Sequence, residues 1–71
     1  MRVFSPEKIK ERRNSLRLTQ CELARRAGTA RVYIAQIERG KSNPTASLLA
    51  KIANALKVRV SYFFVKHGRK I

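Results

Sequence analysis

The chain has 71 residues, enough for one small domain with a modest core and no buried room for a large ligand. A hydrophobic fraction of 44% excludes an unfolded polyelectrolyte, yet 17 Lys and Arg against four acids leave a net charge of +13. An excess of that size repels itself in the compact state, which points to an anionic partner: nucleic acid first, then an anionic membrane surface or an acidic protein.

Helix punctuation begins at "SPEK": Ser5 suits an N-cap, Pro6 the first helical position and Glu7 the positive first turn. This first helix is expected to run to about Leu16, with Ile9 and Leu16 on one side. "TQCE" at 19–22 has the form of a capping box and opens a second helix that ends near Ala27, where Gly28 supplies a turn tolerant of positive φ. A third helix fits Ala30 to Arg39 and stops at Gly40; "GKSNP" is a loop by composition. Thr45 caps a fourth helix whose Leu48, Leu49, Ile52, Ala53 and Leu56 form a broad apolar stripe. "VSYFF" (60–64) reads as a short last helix packing Val60 and Phe63, although its β propensity also allows a strand. The expected fold is all-α, five short helices around one core over residues 5–64, followed by a frayed basic tail at 65–71.

Projected at about 100° per residue, the third helix places Ile34 and Ile37 on one side with Tyr33 at the flank. Arg31, Val32, Ala35, Gln36 and Arg39 fall on the other, a face without an acid. Those residue types suit major-groove reading. Arginine forks onto guanine O6 and N7, glutamine onto adenine N6 and N7, and small apolar side chains touch the thymine methyl. An ordinary solvated helix face is the competing reading, and the net charge together with the preceding turn weighs against it.

From Gln20 to Arg39 the chain resembles the helix-turn-helix of the lambda-repressor-like (Xre/Cro) DNA-binding domains, and the following "IERGKSNPT" is similar to that family's exit loop. Leu23, Ala24 and Ala27 stand where the family packs its first motif helix, and the resemblance extends from about Ser5 to Phe64. It implies base reading by Arg31, Val32, Ala35 and Gln36, and backbone phosphate contacts by Gln20, Tyr33, Arg39, Lys41 and Asn43. It also implies a structural ion pair between Arg13 and Glu38; the alternative for Glu38 is a lone negative charge beside Arg39 and Lys41. Ala24 is small where two helices cross, and Gly28 lets the third helix leave at a steep angle. The sequence departs from the family pattern at Ala30, where a Ser or Thr cap is usual unless Thr29 caps one residue earlier. Lys57 replaces a glycine that often ends the fourth helix, and Arg59 a small cap before the fifth.

The remaining residues carry less. Cys21 is the single cysteine, which leaves no internal disulfide or thiolate cluster, and an incidental surface thiol outweighs a redox role. His67 stands alone in the basic tail, so no metal site is expected, nor a cofactor or small-molecule ligand. Tyr62, Phe63 and Phe64 close the core or a dimer seam more readily than they stack on bases. No apolar run approaches the roughly 20 residues of a membrane span, and the opening "MRVFSPEK" has no apolar signal core; a cytoplasmic, nucleoid-associated protein of bacterial or phage type is expected. The expectation is a non-enzymatic regulator, most simply a repressor, binding double-stranded DNA as a homodimer. The dimer would form through Val60, Phe63 and Phe64 or on the DNA itself. A non-specific nucleic-acid coat driven by charge is the rival, and a protein-interaction adaptor a distant third.

Overall fold

A computed structural model describes residues 2–66. The element order is β1 (Arg2–Phe4), α1 (Pro6–Ser15), α2 (Gln20–Ala27), α3 (Arg31–Glu38), α4 (Ala46–Ala55), a 3₁₀ turn (Val60–Phe63) and β2 (Phe64–Lys66). The core gathers one or more side chains from each helix: Ile9, Leu23, Ala24, Ala27, Ile34, Ile37, Leu49, Ile52, Ala53, Leu56 and Phe63. Leu48, expected in the α4 stripe, packs against this cluster from a half-buried position.

Start signals are local, and most are used as the sequence predicts. Thr19 and Glu22 close a full capping box: the Glu22 N–H donates to the Thr19 hydroxyl at 3.0 Å and the Thr19 N–H donates to the Glu22 carboxylate at 2.8 Å. The bond from the Thr19 backbone, with the Thr19 hydroxyl and the Arg26 and Arg25 charges behind it, holds the exposed Glu22 carboxyl below its ordinary range. Thr45 caps α4 by accepting from the Leu48 N–H at 3.1 Å. At α1 the expected cap works differently: Pro6 occupies the first turn, but the Ser5 hydroxyl donates to the Glu7 carboxylate at 3.0 Å instead of accepting from the backbone. Ala30 is the N-cap of α3, with no side-chain cap, so Thr29 does not take that place.

All four helices end in the same way. The paired bonds of a Schellman closure run from Leu18 and Arg17 to Arg13 and Asn14, from Thr29 and Gly28 to Ala24 and Arg25, from Lys41 and Gly40 to Gln36 and Ile37, and from Val58 and Lys57 to Ala53 and Asn54. The left-handed residue is glycine in two of them, Gly28 (φ 73°) and Gly40 (φ 77°), and a cation in the others, Arg17 (φ 59°) and Lys57 (φ 60°). A Cβ at Gly28 would meet nothing within 4 Å, so that glycine is required by its backbone angle and not by crowding. Because a side chain in this conformation costs about 1–2 kcal/mol, Lys57→Gly should be more stable than Lys57→Ala by about 1 kcal/mol, the reverse of the order inside a helix. Thermal melts should separate the two variants by about 4–8 °C; equal melting temperatures would remove the strain from Lys57.

The fifth element departs from expectation. Val60–Phe63 makes a single 3₁₀ turn, and the chain then extends into β2, which pairs antiparallel with β1 in the register Arg2–Lys66, Val3–Val65, Phe4–Phe64. The fold is therefore helical with a small sheet tying its two ends, and Val65 and Lys66 belong to a strand, not to the tail. Phe4 and Phe64 pack on the core with ring centroids 5.7 Å apart, while Val3 and Val65 stay exposed. Of the proposed seam residues, Phe63 is 0% exposed and belongs to the core, and Val60, expected to pack inward, lies on the surface. The tail expectation for residues 67–71, His67 included, falls outside the described residues. No helix among the described residues is long and apolar enough to cross a membrane, and no group of three metal-ligating side chains is present among them.

Candidate nucleic-acid interface

The left-handed turn at Gly28 sends α3 off across α2, and Ala24 and Ala27 are buried in the core beside Leu23. Ile34 and Ile37 anchor the inner side of α3 at full burial. The outer side carries Arg31 and Val32, both exposed, with Ala35 and Gln36 half-buried between them and the exit loop. Val32 is 55% exposed, an apolar side chain left in water at the middle of this face.

One polar network underlies the face. Arg13 on α1 donates to both carboxylate oxygens of Glu38, from Nε at 2.7 Å and from a terminal nitrogen at 3.1 Å. Its other terminal nitrogen donates to the Leu18 carbonyl at 2.8 Å. The side chains are 10% and 3% exposed, so this is a buried, two-pronged pair and not a lone charge at Glu38. Gln20, at the start of α2, donates its amide to Glu38 at 3.0 Å, which turns its carbonyl outward, and Arg31 donates to that carbonyl at 3.3 Å. The chain Arg13–Glu38–Gln20–Arg31 thus links α1, α2 and both ends of α3.

The exit loop is braced separately. The Tyr33 hydroxyl donates to the Asn43 carbonyl at 3.0 Å, and the Ser42 hydroxyl donates to the Gln36 side-chain oxygen at 3.3 Å. Arg39, Lys41 and Asn43 are exposed along the same edge.

Of the sequence-predicted site residues, Gln20, Arg31, Val32, Ala35 and Arg39 line one concavity of about 570 Å³ with Glu38. Gln36, Tyr33, Lys41 and Asn43 lie beside it, on the exit-loop side. Lys10 of α1 lines it as well. The sequence does not single out this lysine because Lys10 sits in a run of mixed charge, and only the packing of α1 against α3 shows which of those charges faces α3. Ser42 was missed for a similar reason: the exit loop has no periodicity to say which side chain turns back onto α3. Cys21 is exposed on the first turn of α2.

Chemically, this is a convex helix flanked by cations, with Gln20 at the N-terminus of α2 lining the same concavity. Cations and helix N-termini bind phosphate. A family model for helix-turn-helix domains matches residues 9–63. The chain is 44% identical over 55 residues to the immunity repressor protein of Bacillus phage phi105, a match covering 78% of this chain and 38% of that protein. It also spans 43% of the length of two mycobacterial helix-turn-helix regulators. Among solved structures it is similar to the restriction–modification controller C.AhdI of Aeromonas hydrophila, with a TM-score of 0.81 and 30% identity over 83% of this chain and 89% of the other. It is equally similar to the P22 c2 repressor bound to a synthetic operator, with a TM-score of 0.81 and 30% identity over 86% and 92% of the two chains. With the fold, the motif and these likenesses together, the chain belongs to the lambda-repressor-like (Xre/Cro) helix-turn-helix family.

Proposed function

We propose that this chain is a sequence-specific, double-stranded-DNA-binding transcriptional regulator, a repressor or operon controller that acts as a dimer on a short inverted repeat. The observation that carries this reading is the outward face of α3: exposed Arg31 and Val32, with Ala35 between them, beside a cation-lined concavity and free of unpaired acid. The likeness to an operator-bound repressor supports the same orientation of α3 toward the major groove.

In this reading Arg31, Val32, Ala35 and Gln36 meet base edges, and Arg39, Lys41, Asn43 and Lys10 meet phosphates. Tyr33 acts by bracing the loop that carries Asn43. Gln20 has both ends of its amide engaged, so it serves best by aiming Arg31, while the N–H groups beside it receive a phosphate. A dimer sets two copies of α3 about 34 Å apart, one turn of DNA. Val60 is exposed and Phe64 only half-buried, so both keep surface for that contact, and the fully buried Phe63 does not.

Selection of bound sequences from a random duplex library at physiological salt tests the reading. An enriched inverted repeat supports it; absence of enrichment overturns it in favour of a charge-driven, non-specific binder. Arg31→Ala should reduce discrimination by about 1–3 kcal/mol at one base pair of each half-site. Equal losses on selected and random DNA would remove Arg31 from base reading. The non-specific alternative draws support from Lys51, Lys57 and Arg59, exposed cations that do not line the concavity.

A further inference from the structure

The recognition side uses only part of the positive charge. Helix α1 works as a partition. At about 100° per residue, Lys10 projects roughly 160–200° away from Lys8 and Arg12. Lys10 lines the recognition concavity. Lys8 and Arg12 instead face the junction between α4 and the 3₁₀ turn: the Lys8 ammonium lies 5.3 Å from the centre of the Tyr62 ring, and Arg12 Nε donates to the Leu56 carbonyl at 3.0 Å. The residues that follow Leu56 add Lys57 and Arg59, both exposed.

Two features of this cluster are built. Among the described residues the half-buried Arg12 is anchored through Nε to the Leu56 carbonyl, which leaves its two terminal nitrogens uncommitted to that bond. Lys57 holds a left-handed backbone where glycine would be unstrained, which fixes the start of its side chain next to the Leu56 carbonyl that Arg12 binds. The α1 carboxylates, Glu7 and Glu11, project to the outer side of the helix, and Glu7 accepts from Ser5. Among the described residues the ion pair within 4.0 Å is Arg13–Glu38, so these four cations have no carboxylate partner there.

We propose that Lys8, Arg12, Lys57 and Arg59 form a second duplex-DNA surface, on the far side of α1 from α3, through which a protein bound to one duplex captures another. Duplex DNA is the partner favoured by composition. The cluster is charged and lysine-containing, with one aromatic ring that Lys8 already covers. Protein–protein interface cores are depleted in lysine, whereas DNA interfaces are strongly basic and wet. A molecule held on DNA also meets further duplex at high local concentration, and each phosphate contact adds counterion release.

A bridging assay tests this. The full chain is loaded on a bead-tethered duplex and challenged at physiological salt with a second, fluorescent duplex of mixed sequence. Wild type should retain the second duplex. The variant Lys8→Gln, Lys57→Gly, Arg59→Gln should lose about tenfold or more of that retention, while binding to a single duplex falls less than about threefold. Lys57→Gly preserves the left-handed turn, so an undiminished melting temperature shows that the variant is folded. Arg25→Gln with Arg26→Gln, which lowers the net charge elsewhere, should leave bridging intact. Failure of wild type to bridge, or bridging retained by the triple variant, overturns the proposal and leaves an acidic protein as the partner of this surface. Equal loss from the Arg25 and Arg26 changes overturns it in favour of bulk charge. None of these outcomes depends on whether α3 reads sequence.

Discussion

Glu38→Ala is expected to be among the most destabilising single changes in the molecule, costing about 3–5 kcal/mol because it strands the buried Arg13 guanidinium without its partner. Glu38 accepts three hydrogen bonds, two from Arg13 and one from Gln20, and its side chain is 3% exposed. In a domain this small each kcal/mol moves the melting temperature by about 4–8 °C, so a thermal melt should show a loss of some tens of degrees or no transition at all. Arg13→Met combined with Glu38→Leu should recover most of that loss, since what is costly is the unpaired charge and not the absence of the pair. A loss under about 1 kcal/mol for Glu38→Ala would mean that water reaches Arg13 and that the pair behaves as a surface one. The functional consequence is separate from stability. The double variant frees Gln20 from Glu38, and with it the constraint on Arg31, so discrimination between bases should weaken in a protein that still folds.

Phe63→Ala should cost a similar amount, about 3–5 kcal/mol, by leaving a cavity under the 3₁₀ turn. Phe63 is fully buried, and its carbonyl accepts from the Ser5 N–H at 2.7 Å, a bond that continues the β1–β2 ladder toward α1. The cavity therefore loosens both the core and the junction of the two chain ends. Tyr62→Ala and Val60→Ser, one and three residues away on exposed positions, should change stability little. Chemical denaturation of the three variants gives the comparison directly. A Phe63→Ala protein of near-wild-type stability that failed to dimerise would return Phe63 to the seam.

The two ends of α3 show how far a sequence carries a reading. The capping box at Thr19, the left-handed Gly28 and the amphipathic split of α3 are set by residues within four positions of one another, so their chemistry is visible in the string itself. The outward set Arg31, Val32, Ala35 and Gln36 follows from the same periodicity. By contrast, Lys10 and Gln20 acquire their places only when α1 and α2 pack around α3: ten residues separate the two, and nothing local says that both line one concavity. Family resemblance supplied the Arg13–Glu38 pair, whose members stand 25 residues apart.

Local sequence determined four helices, most of their starts and stops, a basic molecule and a face suited to base edges. Tertiary structure alone decided that "RVF" and "FVK" pair as strands, since three residues are too few to display a two-residue period and the partners lie at opposite ends of the chain. It likewise settled Phe63 in the core rather than the seam, two places the sequence left open, and showed that Arg17 and Lys57 take the left-handed place that glycine takes elsewhere. A Schellman closure demands a left-handed backbone at its last residue whatever the side chain, so without a glycine there no local residue type marks the position in the sequence.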